Sequence, residues 1–275
     1  MRCRTLNRPI GVIDSGVGGL TVAYEIMRQL PNEQLIYVGD TLRCPYGSRP
    51  PHEVKKFTKE LVRFLLTKKI KMIVVACNTA TAFALEELKK ELSIPIIGVI
   101  QPGARAAIKS TKNNKIGVIG TEGTIASNAY PDALKQINNE LEVTPLACPL
   151  FVPMVEKGIL HGAQAKKVVN DSLAPLKTIK QIDTLVLGCT HYPLLEDTIQ
   201  QVMGENIQII SSSEETARET STILEIQHLL HKKPRSLQHY FYTTGDIHIF
   251  KKIYESLFNE HVMEVKNISF ENITI

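Results

Sequence analysis

Apolar residues in this chain fall into short unbroken runs, each followed by a stretch with helical spacing. The runs are Ile10-Gly11-Val12-Ile13, Leu35-Ile36-Tyr37-Val38, Val74-Val75-Ala76, Ile94-Pro95-Ile96-Ile97-Gly98-Val99-Ile100, Ile116-Gly117-Val118-Ile119, Leu185-Val186-Leu187, Ile207-Gln208-Ile209-Ile210 and Tyr240-Phe241-Tyr242. A run without polar alternation reads as a strand buried on both faces, as in a parallel sheet. Helical spacing predicts helices over 20–30, 52–69, 82–92, 214–230 and 249–258, with a C-terminal strand or tail behind them. Strand and helix alternating through short links argue for a doubly wound parallel α/β sheet with right-handed crossovers.

The pattern then repeats. Lys115-Ile116-Gly117-Val118-Ile119-Gly120-Thr121 resembles Gly11-Val12-Ile13-Asp14-Ser15-Gly16. From Asp14 to Cys77 is 63 positions, and from Gly120 to Cys189 is 69. The expectation is two similar doubly wound parallel-sheet domains with a pseudo-two-fold relation and an active site in the cleft between them. The first would take 1–98 plus 208–275 and the second 99–207. Chance likeness among α/β units is the competing explanation of so faint a repeat.

Length and composition suit a soluble globular protein of one large or two ordinary domains. The formal net charge of +4 is modest for 275 residues and the lysines are scattered, which argues against nucleic-acid binding. No run of eighteen apolar residues occurs, so no membrane span is expected. The N-terminal segment is basic but lacks the apolar stretch of a signal peptide, so a cytoplasmic location is expected. Five cysteines with no framework spacing are expected to be free thiols.

Two of those thiols echo each other. Ala76-Cys77-Asn78-Thr79 and Gly188-Cys189-Thr190-His191 each end an apolar run with a cysteine and small polar residues. Carboxyl ends of strands are where open α/β sheets bind ligands. The start of a helix there favours negative charge, which would draw a thiol toward the thiolate. Inert buried thiols are the plainer reading of either cysteine alone. Cys3, Cys44 and Cys148 keep that plain reading, although Cys44 adjoins a polar loop.

Other chemistries fit poorly. Gly16-Val17-Gly18 begins like a dinucleotide fingerprint, but Thr21 stands at the third glycine position and the phosphate-loop lysine is missing. Cys189 and His191 lack a third and fourth ligand at zinc spacing, so no metal is expected. No lysine sits in a recognisable Schiff-base setting. No cofactor is therefore expected.

Six motifs in order resemble the cofactor-independent, two-cysteine glutamate racemase family. They are Gly11-Val12-Ile13-Asp14-Ser15-Gly16-Val17-Gly18-Gly19-Leu20-Thr21, Tyr37-Val38-Gly39-Asp40-Thr41, Cys44-Pro45-Tyr46-Gly47, Ala76-Cys77-Asn78-Thr79-Ala80-Thr81-Ala82, Gly98-Val99-Ile100-Gln101-Pro102-Gly103 and Leu187-Gly188-Cys189-Thr190-His191-Tyr192-Pro193-Leu194. The likeness runs from about Pro9 to about Gly245. Ser213 departs from an expected glycine, and the tail beyond Asp246 matches no family motif.

The resemblance implies racemisation of L- and D-glutamate by two-base proton transfer, a homodimer, and a supply of D-glutamate for peptidoglycan. Cys77 and Cys189 would be the bases. Asp14 would assist Cys77, and His191, oriented by Glu156, would assist Cys189. An aspartate raises a nearby thiol's pKa by repulsion, so Asp14 is expected to accept a proton or hold the substrate ammonium. Ser15 and its turn, the amides of Tyr46 and Gly47, and Asn78, Thr79, Thr121 and Thr190 would hold the substrate, together with Asp14 and His191. Helix capping and tight turns explain several of these residues without a ligand.

Three alternatives stand beside that reading. One is racemisation of aspartate or a hydantoin on the same scaffold. A one-cysteine decarboxylase is disfavoured by the presence of two cysteines. A two-lobed amino-acid-binding protein would use the cleft without needing either thiol.

Overall fold

The computed structural model describes residues 6–179, 181–234, 236–258 and 264–269. Cys3 lies outside them. Strand β1 (Ile10–Asp14) leads through a turn to helix α1 (Leu20–Gln29), then β2 (Leu35–Gly39), α2 (Pro51–Thr67), β3 (Met72–Val75), α3 (Asn78–Glu91) and β4 (Ile96–Gly98). Helix α4 (Ile100–Ser110) opens the second half. It is followed by β5 (Lys115–Gly120), α5 (Glu122–Ala126), α6 (Ala129–Ile137), β6 (Glu142–Ala147), α7 (Phe151–Glu156), α8 (Gly162–Lys177), β7 (Thr184–Gly188), α9 (Glu196–Met203) and β8 (Gln208–Ser211). Helix α10 (Ser213–Ile226) returns the chain to the first half, which ends with β9 (Tyr240–Thr243), α11 (Ile247–Phe258) and β10 (Val265–Asn267).

Two parallel sheets result, ordered β10-β9-β2-β1-β3-β4 and β6-β5-β7-β8. Every pairing among the described strands is parallel. The segments β2-β1-β3-β4 and β6-β5-β7-β8 share one order, so the repeat read in the sequence is a repeat of topology. Each sheet buries both faces. Val12, Tyr37 and Val74 pack on one side of the first sheet with α1, while Ile13, Val38 and Val75 pack on the other with α2 and α3. Successive side chains point to opposite faces, so both must be apolar. The second sheet behaves alike, with Ile119, Leu185 and Leu187 on one side and Val118 and Val186 on the other.

The domain boundary needs one correction. A return to the first half at residue 208 was expected, but β8 pairs with β7 in the second sheet. Its apolar run extends that buried sheet, and the chain crosses back only at α10. That helix packs against both α1 and α4, so it spans the two halves. Other expectations shift too. The strand expected over 94–100 is cut to Ile96–Gly98 because Val99 already has helical backbone angles. Strand β6 escaped the sequence reading. It is a half-exposed edge strand holding Pro145, which edges tolerate and central strands do not. Helices α4 to α9 were not assigned either.

One ion pair inside the first half is fully enclosed. Lys71 reaches Glu33 at 2.6 Å, with both side chains at 0% exposure. Lys71 also donates to the carbonyls of Leu6 and Leu229, and Glu33 accepts the His231 amide. The pair thereby ties the chain's start and the linker behind α10 to the β2 and β3 strands. Lys71→Ala is expected to destabilise the protein by about 3–5 kcal/mol, because it strands a buried carboxylate. Urea unfolding should show the midpoint fall accordingly.

Candidate active site

Within each sheet, the direction of winding reverses between the first and third strands of the repeat: β1 and β3, then β5 and β7. Such switch points open a crevice at the strands' carboxyl ends. Asp14 ends β1, Cys77 follows β3, Thr121 follows β5 and Cys189 follows β7. The two crevices face each other. One closed cavity is lined by Ser15, Tyr46, Gly47, Cys77, Asn78, Thr79, Thr121, Cys189, Thr190 and His191. Both thiols therefore share one chamber. Its free volume of about 10 Å³ has room for about one water. A larger groove of about 530 Å³ lies near α10 and touches neither thiol.

The cysteine sites differ in local build. Cys77 caps α3, and its sulfur accepts the Ala80 amide at 3.4 Å. Its thiol lies 3.4 Å from the Ser15 hydroxyl, to which it donates. Cys189 is followed by a turn and only a short 3-10 helix at Tyr192–Leu195. In place of an aligned helix start it has His191, whose Nδ1 lies 3.9 Å from the sulfur. On the ring's far side, Nε2 meets Glu156 Oε1 at 2.6 Å.

Asp14 bridges the halves. The Gly16 amide donates to its Oδ2 at 2.9 Å, and the Thr190 hydroxyl, from the opposite half, donates to Oδ1 at 3.1 Å. The approach is so close that a Cβ on Gly18 would lie 2.5 Å from His191 Nδ1 and 2.7 Å from its backbone nitrogen. Gly47 is placed similarly, since its Cβ would fall 2.2 Å from Thr121 Cβ. The hydroxyls of Thr79, Thr121 and Thr124 stand 2.9, 3.0 and 3.1 Å apart in a closed ring, one from the first half and two from the second.

The chain matches the Asp/Glu/Hydantoin racemase family model over residues 10–220. It belongs to that family. A glutamate racemase from Oceanobacillus iheyensis is 61% identical over 98% of both chains. The crystal structure of a glutamate racemase isoform from Bacillus anthracis superposes with a TM-score of 0.91 at 50% identity, covering 95% of this chain and 97% of its own. A glutamate racemase from Francisella tularensis, solved in complex with D-glutamate, gives 0.89 at 34% identity over 97% and 99%. The chain is thus an amino-acid racemase, an isomerase of the glutamate racemase type.

In this racemase the thiol electrostatics overturn one expectation. The helix start was expected to draw Cys77 toward the thiolate. Instead burial, reinforced by the Asp14 charge, pushes its pKa up to about 12, against smaller opposing help from Ser15 and the Ala80 amide. Desolvation of a closed chamber outweighs a helix terminus. Burial likewise raises Asp14, opposed by His191, the Gly16 and Gly19 amides and Thr190. Burial would lower His191, but its bonds with Cys189, Cys44 and Glu156 raise it well above the usual histidine value. Glu156 is lowered, because His191 outweighs its burial. The two form a hydrogen-bonded ion pair.

Four residues here were not given a role by the sequence. Thr124 completes the hydroxyl ring, and its signal is the position three residues after the capping Thr121. Asp40, fully buried, accepts from Tyr46, Arg43 and Thr244, which anchors the loop carrying Tyr46 and Gly47. Cys44 donates to Glu156 at 3.6 Å, beside the His191 pair. Tyr130 donates to Asn78 from the opposite half. Cys44, Glu156 and His191 each place one ligand atom within 4.8 Å of the others. Sequence spacing had hidden that trio. His191 is raised and burial pushes Cys44 up to about 12, so a metal there would compete with protons that both hold more tightly than usual.

Two outcomes follow. Gly47→Ala is expected to cut kcat/KM by about tenfold or more, since overpacking costs ~1–3 kcal/mol and here forces the halves apart. A circular-dichroism racemisation assay measures it. Glu156→Gln removes a cause of the raised His191 pKa. His191 then loses its proton at lower pH, and the alkaline limb of the kcat/KM profile is expected to move to lower pH. The ion pair's stabilisation is lost as pH rises through the raised His191 pKa, or falls through the lowered Glu156 pKa.

Proposed function

We propose that this racemase interconverts L- and D-glutamate by two-base proton transfer, with Cys77 and Cys189 on opposite faces of the α-carbon. The observation that carries the reading is the single chamber lined by both thiols and ringed by donors. One thiolate takes the α-proton and becomes a thiol. The other thiol returns a proton to the opposite face and becomes the thiolate, so charge and protons balance. The reverse reaction exchanges the roles.

A carbon acid this weak needs more than a base. A positioned base contributes roughly 10²–10⁴-fold. Donors aimed at the α-carboxylate supply the rest as it gains enolate character. Thr79, Thr121 and Thr190 fill that role, with Thr124 supporting the ring, while Asn78 holds the carboxylate in ground and transition state alike. Amides of Tyr46 and Gly47 take the side-chain carboxylate. Asp14 and Ser15 hold the ammonium. That cation also answers the raised Cys77 pKa, since a positive charge in a dry chamber favours the thiolate. His191, oriented by Glu156, exchanges protons with Cys189.

The chamber is too small for an amino acid as it stands, so the halves must part for entry and close for chemistry. No helix among the described residues is long and apolar enough to cross a membrane. We place the enzyme in the cytoplasm as a homodimer, supplying D-glutamate for peptidoglycan, which the motif resemblance implies.

The test is turnover in deuterated water without added cofactor. Solvent deuterium should appear at the α-carbon of both glutamate enantiomers, with aspartate a far poorer substrate. Cys77→Ala and Cys189→Ala should each slow racemisation by roughly 10²-fold or more, the worth of a positioned base, while unfolding midpoints hold. Full racemisation by both variants would sink the mechanism. Absence of deuterium in glutamate would leave only a binding protein.

A further inference from the structure

Tyr130, in helix α6 of the second half, is almost wholly buried, and its hydroxyl donates to Asn78 Oδ1 at 2.8 Å. Asn78 opens helix α3 of the first half and is only 2% exposed. Its Nδ2 is buried and has no hydrogen-bond partner. A buried donor left unpaired is costly, so one in a native fold calls for an explanation. Here the residue lines the chamber shared by both thiols.

The direction of the amide is set from outside the chamber. Ser212, at the N-terminal end of α10, opposes the rise that burial gives the Tyr130 phenol. The phenol gives its proton to Asn78. Only the amide oxygen accepts it, so the NH₂ group is turned away from Tyr130. The ring is held from behind: a Cβ on Gly188, the residue before Cys189, would meet it at 3.0 Å. A Cβ on Gly103 would lie 3.0 Å from the hydroxyl and 3.1 Å from Ser212 Cβ, so bare backbone frames the joint.

We propose that Tyr130 is a positioning residue: it orients Asn78 so that Nδ2 donates to a carboxylate of the bound amino acid. The inference rests on the substrate reading above. Because the tyrosine comes from the second half, Asn78 is oriented only when the halves are closed. A carboxylate accepting from a fixed amide in a dry site gains more than from one free to rotate.

A double-mutant cycle tests this. Tyr130→Phe removes one oxygen and keeps the ring against Gly188. It is expected to raise KM for both enantiomers by roughly tenfold with kcat changed less than about threefold, the pattern of lost uniform binding. In an Asn78→Ala background the same change should add nothing further to KM. Unfolding midpoints are recorded alongside. An unchanged KM in Tyr130→Phe overturns the proposal, as does an equal further rise in the Asn78→Ala background, which would make the tyrosine a packing residue only. If the unmodified enzyme fails to racemise glutamate, the substrate reading falls separately, and the cycle is read on the amino acid it does turn over.

Discussion

Asp14 is a buried carboxyl group held from both halves of the molecule. Its oxygens are taken by a glycine amide beside it and by the Thr190 hydroxyl across the cleft, with the raised His191 adding positive charge. Burial alone would make this group expensive, and burying it unpaired more so. Closing the two halves supplies its partners. The same closure brings Cys189, Thr121 and His191 to the Cys77 side. One electrostatic requirement and the assembly of the chamber are therefore the same event.

Glycine makes that event geometrically possible. At Gly18 and Gly47, backbone from the first half passes where any side chain would collide with the second. These are contacts of bare backbone against Thr190, His191 and Thr121, so the halves meet at the chamber itself. Closure then dries the site. A dry site strengthens the hydrogen bonds of the donor ring and also pushes the Cys77 thiol toward its neutral form. The raised Cys77 pKa and the donor ring are two results of one low-dielectric chamber.

The two cysteines are equivalent in topology and different in environment. Cys77 has a true helix start, the Ser15 hydroxyl and a nearby aspartate. Cys189 has a turn and a histidine paired to glutamate. The repeated fold sets the sulfurs at matching switch points, and the neighbours of each differ. The Glu156 that completes the second partner comes from α7, a short helix outside the shared strand order.

Periodicity by itself determined the two-sided strands, the alternation with helices and the repeat, because parallel sheets buried on both faces leave continuous apolar runs. It failed where that signature is absent: at the half-exposed edge strand β6, in the helices of the second half, and at residue 208, where an apolar run did not say which sheet it joins. Motif likeness named Asp14, Cys77, Cys189 and their neighbours. Tertiary structure alone decided that both thiols share a chamber, that burial outweighs the helix start at Cys77, and that Cys44 meets Glu156, Thr124 meets Thr79 and Tyr130 meets Asn78 across the halves. Those facts depend on approach between residues dozens to more than a hundred positions apart, and desolvation is a property of the closed assembly, which no local stretch of sequence contains.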